Sequence, residues 1–160
     1  MQNAFILSWC TVFRASEWLL PGLLVNSYPL IQLQVPMPMT TALLIIDVQQ
    51  ALCSGEEAAF DSDRVIASIN ALGAKARADL VPVILVQHEE DAGLLQFGSN
   101  GWQLDERLTA QPEDFRVGKT TPDSFHQTEL HSLLQQWGAN HLVICGLQSD
   151  FCVDSAGAWL

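Results

Sequence analysis

At 160 residues the chain can bury one real hydrophobic core, and its 49% apolar content sets aside disorder along the whole length. A net charge of −11 and a sequence pI near 4.4 argue against nucleic-acid binding, which needs clustered Lys and Arg; the acidity reads as solubility. The four cysteines, Cys10, Cys53, Cys145 and Cys152, form no CxxC pair and have no histidine at zinc-ligand spacing, so a metal site finds no support and a reduced, cytoplasmic protein fits best.

Residues 1–39 are apolar without a clear pattern, and their only charges, Arg14 and Glu17, cancel. No positive stretch precedes residues 5–7, as a signal peptide requires. Residues 18–35 are broken by Pro21, Asn26, Ser27, Pro29 and two glutamines, a poor membrane span. Pro36 and Pro38 close the segment as an extended linker. Residues 1–39 are therefore read as an extension or linker outside the domain, with a gene-model start near Met37 or Met39 favoured over a targeting role or a packed extension. The domain proper is residues 40–160.

From Ala42 to Asp47 runs a short apolar stretch rich in branched residues, as in a strand buried on both faces of a parallel sheet. A helix is predicted over 61–79, capped by Asp61 or Asp63, with Val65, Ile66, Ile69 and Leu72 on one face and Gly73 as its weak point. The second strand, 81–87, tolerates Pro82 only because it stands at the beginning. A long irregular stretch follows to about Asp114, and loops of that length inside a domain are usually functional. A short third strand is expected over 116–119. A helix over 124–137 follows, ended by Gly138 as a left-handed cap. The fourth strand is 141–145, stopped by Gly146, and a last helix begins near Asp150. The alternation predicts an α/β fold: a three-layer, Rossmann-like, mostly parallel sheet.

Ligands of open α/β sheets bind beyond the carboxyl ends of the strands. That rim collects Asp47 and Gln49 after the first strand, His88 after the second and Lys119 at the end of the third. After the fourth it collects Gln148, Ser149, Asp150 and Cys152. Each has a bland alternative. An Asp after a strand is commonly a turn residue, a Lys after a short strand is usually solvated, and a Cys at a helix start is often a small apolar filler. Together they make coherent chemistry. A helix start and Lys119 stabilise the Cys152 thiolate, and Asp47 takes and returns its proton.

Ile46-Asp-Val-Gln49, Lys119 followed by Ser124-Phe125, and Gly146-Leu-Gln-Ser-Asp-Phe-Cys-Val153 together resemble the isochorismatase-like cysteine hydrolases, a family that includes nicotinamidases and carbamoylsarcosine amidohydrolases. The resemblance covers residues from about 40 onward. It implies Asp47 as general base, Lys119 as second triad member and Cys152 as nucleophile. It further implies a cis peptide between Leu147 and Gln148, an oxyanion hole from the N–H groups of Gln148 and Cys152, a supporting Gln49, and a pocket lined by Trp102 and Phe125. A core role for either aromatic is about equally expected.

Nicotinamidases of this family bind a metal through an Asp and several His, whereas this chain offers His88 beside Glu89, Glu90 and Asp91. No metal or other cofactor is expected, nor nicotinamide as substrate. True isochorismatases generally lack the nucleophilic cysteine, so Cys152 implies hydrolysis of a C–N bond in a small molecule through a thioester. The family continues well past its nucleophile, while this chain ends eight residues after Cys152. The expectation is a fragment or truncated product that lacks its last strands and exposes the edge of the fourth strand. The full domain would be a homo-oligomer with no membrane partner. The competing expectation is a non-catalytic family member acting as a binding or assembly module.

Overall fold

The computed structural model describes residues 11–14, 40–55 and 58–147. The apolar run after Thr40 forms strand β2 (Thr41–Ile46), whose last five residues are all buried. Two further apolar runs form β3 (Val83–His88) and β5 (His141–Gly146), and the short expected strand is β4 (Phe115–Lys119). These four are parallel, with Leu43 opposite both Val83 and Val143 and with Ile84 opposite Phe115. Pro82 stands just ahead of β3, where it loses no ladder donor and its carbonyl accepts the Leu43 N–H at 2.9 Å.

Alternate residues of each strand face opposite layers. On one side Leu44, Ile46, Ile84, Val86 and Ile144 pack against Leu130 and Leu134 of helix α3 (Leu130–Gln136). On the other, Leu43, Ile45, Val83 and Leu85 pack against Ile66, Ile69 and Ala76 of helix α2 (Ser62–Ala78), together with Cys53 at the end of the short helix α1 (Gln50–Cys53). Helix, sheet and helix make the three layers.

Asp61 is the N-cap of α2, yet its carboxylate makes no capping bond and pairs with Arg64 instead. Helix α3 starts six residues later than its sequence pattern suggests. Gln127 takes a left-handed φ of 54°, and the Asp123 carboxylate and Thr128 hydroxyl bond locally to Phe125 N–H and Ser124 C=O. Such local bonds offer residues 124–128 an alternative to the helical ladder. The far end matches its prediction. Gly138 has φ 63°, and the N–H groups of Gly138 and Ala139 return to the carbonyls of Gln135 and Leu134.

The expected bare edge of β5 requires a correction. Strand β1 (Thr11–Arg14) pairs antiparallel with β5, with Thr11 opposite Ile144 and Arg14 opposite His141. The sheet order is β1-β5-β2-β3-β4. Edge amides and carbonyls of β5 that would otherwise need water or another chain meet this strand.

Candidate active site

Strand β2 delivers Asp47 to the carboxyl end of the sheet, and β4 delivers Lys119 to the same end two strands away. The two side chains meet: Lys119 Nζ lies 2.9 Å from Asp47 Oδ2, and both are almost wholly buried. Lys119 also donates to the carbonyl of Pro122 at 3.2 Å. The second oxygen, Asp47 Oδ1, is buried with no hydrogen-bond partner among the described residues. A buried acceptor left open in this way is costly, on the order of 1–3 kcal/mol, unless a bound group completes it.

The backbone at Asp47 is itself unusual. Its φ of 57° is left-handed, which L residues avoid, although Asp tolerates it better than most. The strain, about 1–3 kcal/mol, is held by neighbouring bonds. Asp47 N–H donates to Val86 C=O at 2.9 Å, and Val48 C=O accepts the N–H of Asp105 at 3.0 Å.

Strand β5 leaves the sheet directly beside this turn. A Cβ on Gly146 would stand 2.1 Å from the Ile46 carbonyl oxygen, so only glycine admits so close an approach. Leu147, buried in the α2-side core, then donates its N–H to that carbonyl at 3.0 Å. The last described residue, Leu147, therefore lies beside the turn that carries Asp47. Gln148, Cys152, the Leu147–Gln148 peptide and the helix expected from Asp150 lie outside the described residues.

Gln49 is fully buried and spends its carboxamide on backbone. Its Nε2 donates to the carbonyls of His88 at 2.8 Å and Trp102 at 2.9 Å, and its Oε1 accepts the His88 N–H at 2.9 Å. Residues 101–105 run alongside the start of α1, where Gln50 and Ala51 donate to the carbonyls of Gln103 and Gly101. The long loop is thus tied to the segment that follows Asp47. Trp102 is partly buried against Phe97, with ring centroids 4.8 Å apart, and its Nε1 is buried and unpartnered among the described residues. Phe125 is partly buried and packs against the α3-side core.

Three residues escaped the sequence reading. Gln87, buried in β3, gives Trp102 C=O a second donor at 3.0 Å. Asp105 and Arg107 form an ion pair within the long loop, with Arg107 Nε 2.7 Å from Asp105 Oδ1. The available signal was weak: alternating charges in a loop usually mark solvated turns, and only burial distinguishes them. The Arg107 contact holds the Asp105 carboxyl below the usual carboxylate range. Burial, and then the Asp105 charge, push the neighbouring Cys53 thiol up to about 12, so it stays protonated.

His88 Nε2 lies 3.8 Å from Glu90 Oε1. No group of three or more His, Cys, Asp and Glu among the described residues is arranged to hold a metal ion. Nor is any helix among them long and apolar enough to cross a membrane.

Known proteins share this arrangement of chain and fold. The chain is 37% identical over 113 residues to a streptothricin hydrolase of Streptomyces noursei, covering 70% of this chain and 45% of that protein. It is 30% identical over 155 residues to the ureidoacrylate amidohydrolase RutB of Pseudomonas syringae, covering 74% of this chain and 63% of that one. The chain thus spans roughly half the length of these curated relatives. A solved isochorismatase family protein superposes with a TM-score of 0.68 at 40% identity, over 72% of this chain and 69% of its own. The isochorismatase domain model matches residues 41–157, which take in all four parallel strands and the buried Asp47–Lys119 pair, and the chain belongs to the isochorismatase family.

Proposed function

We propose that this chain carries the catalytic core of a cysteine amidohydrolase that cleaves a C–N bond in a small amide. The observation that carries the reading is the buried Asp47–Lys119 pair, whose Asp47 Oδ1 has no partner among the described residues and whose turn lies against Gly146 and Leu147 at the end of β5. Asp47 takes the proton of the Cys152 thiol, and Lys119 balances the negative charge that then rests on sulfur. The thiolate attacks the amide carbonyl carbon, and its oxygen is held by the N–H groups of Gln148 and Cys152. The C–N bond breaks as the proton on Asp47 passes to the departing nitrogen, leaving a thioester on Cys152. Water, deprotonated by Asp47, hydrolyses the thioester, and Cys152 recovers its proton.

Amide chemistry is supported by the name of the RutB relative, an amidohydrolase. No cofactor takes part in this scheme, and the pocket is built from the loop carrying Trp102. Residues 40–160 are the hydrolase domain, and residues 1–39 are an extension that reaches the sheet through β1. The protein is cytoplasmic and its hydrolase domain assembles as a homo-oligomer.

The test is chemical. Iodoacetamide should alkylate Cys152 well ahead of Cys53 and Cys145, both of which are buried. Turnover on a panel of small amides should vanish in Cys152→Ala. Equal labelling of the three thiols, or turnover that survives the substitution, would defeat the proposal and favour a non-catalytic binding module.

A further inference from the structure

Asp47 has a left-handed backbone and a buried carboxylate, so something must hold the chain on both sides of it. On the near side the tie is β3, through Val86 C=O. On the far side the first tie is the bond from Asp105 N–H to Val48 C=O, and Asp105 belongs to a loop rather than to the sheet.

Asp105 is fixed in turn by Arg107. The carboxylate takes Arg107 N–H at 3.0 Å and Nε at 2.7 Å on Oδ1, and a terminal guanidinium nitrogen at 2.8 Å on Oδ2. That same nitrogen reaches the Cys53 carbonyl at the end of α1 at 3.0 Å, and the other reaches the Asp63 carboxylate in the first turn of α2. Asn70 of α2 closes the set. Its side chain donates to Arg107 C=O at 2.7 Å and accepts Thr109 N–H at 2.8 Å. One guanidinium therefore joins the loop, α1 and α2 at the point where the loop grips the residue after Asp47.

We infer that Arg107 and Asp105 are positioning residues for Asp47: their ion pair holds the Val48 backbone so that the Asp47 carboxylate stays turned toward Lys119. The inference rests on the reading of Asp47 as general base. A planar fork is required for it, because Arg107 must serve two carboxylates and a carbonyl at once, and a lysine ammonium cannot reach all three.

The test uses the full chain and the rate of Cys152 alkylation by iodoacetamide, with circular dichroism to confirm folding. Asp47→Asn, Arg107→Ala and Arg107→Lys are compared, with Arg64→Ala as a control that removes an exposed arginine from α2. Arg107→Ala should slow Cys152 alkylation by about tenfold to a hundredfold, as misplacing a supporting group does. Arg107→Lys should recover little of that, guanidinium ion at millimolar concentration should restore Arg107→Ala, and Arg64→Ala should match the native rate. On a substrate, kcat should fall with KM nearly unchanged.

If Asp47→Asn slows alkylation and Arg107→Ala does not, or guanidinium fails to restore it, the inference falls and the catalytic reading stands. If neither substitution matters, both fall together. If Arg107→Ala acts while Asp47→Asn does not, Arg107 works by another route and the inference is overturned.

Discussion

Two buried aspartates meet cations within a few residues of one another in space, and they are completed differently. Asp105 has partners on both carboxylate oxygens and is tied to two helices through Arg107. Asp47 has Lys119 on one oxygen and nothing on the other among the described residues. The first is a finished structural joint. The second is a buried carboxylate on a left-handed backbone, paired on one oxygen alone among the described residues. Among the described residues, Asp105 is therefore fully satisfied while Asp47 keeps one carboxylate oxygen without a partner.

The largest expected effect separates the two pairs by removing the cation from the open one. Lys119→Met leaves the Asp47 carboxylate buried and unpaired, and should lower unfolding free energy by about 3–5 kcal/mol in urea titration. Adding Asp47→Asn should return most of that loss. A single-substitution cost under about 1 kcal/mol would mean that Asp47 is not isolated as described.

Gln49→Leu comes next. It strips the donors from the His88 and Trp102 carbonyls while Gln87 still serves Trp102, so a cost of about 2–3 kcal/mol is expected in the same titration. If Gln49 were only a pocket residue, stability would not change.

Asp105→Asn should cost about 1–2 kcal/mol at neutral pH, since the amide keeps part of the network. Its pH signature is more telling. The folded carboxyl titrates below its ordinary value because of Arg107. Its stabilisation is therefore present above the unfolded carboxylate pKa of about 4 and lost as pH falls through the lower folded value. Native protein should lose stability over that acid window, and Asp105→Asn should flatten that limb of the curve. Smallest of all, Arg64→Ala removes an exposed pair with Asp61 and should change stability by less than about 0.5 kcal/mol.

The same contrast explains what could be read from residue order. Asp47 and Lys119 were legible because each follows a run of strand-forming residues, and strand ends are where such sheets place their chemistry. Asp105 and Arg107 were not, because two charges in a loop carry no mark of burial. Helix α3 was legible at Gly138, whose left-handed cap depends on one residue. Its start was not, because Thr128 and Asp123 turn residues 124–128 away from the helix through bonds that periodicity does not register. Strand β1 was hidden for a related reason: four residues in an apolar, unpatterned stretch become a strand only when an edge is there to pair with.

Sequence alone therefore determined the layers, the parallel strands, the family motifs and the places of Asp47 and Lys119 at the strand ends, because burial on both faces of a strand dictates a continuous apolar run. Tertiary structure alone decided which of those rim residues touch. Contact across β2, β3 and β4 brings Lys119 onto Asp47, and a loop far along the chain holds the Val48 backbone that orients it. Ion pairs and strained turns are settled by what lies beside a residue in space, and neighbours distant in sequence leave no local pattern.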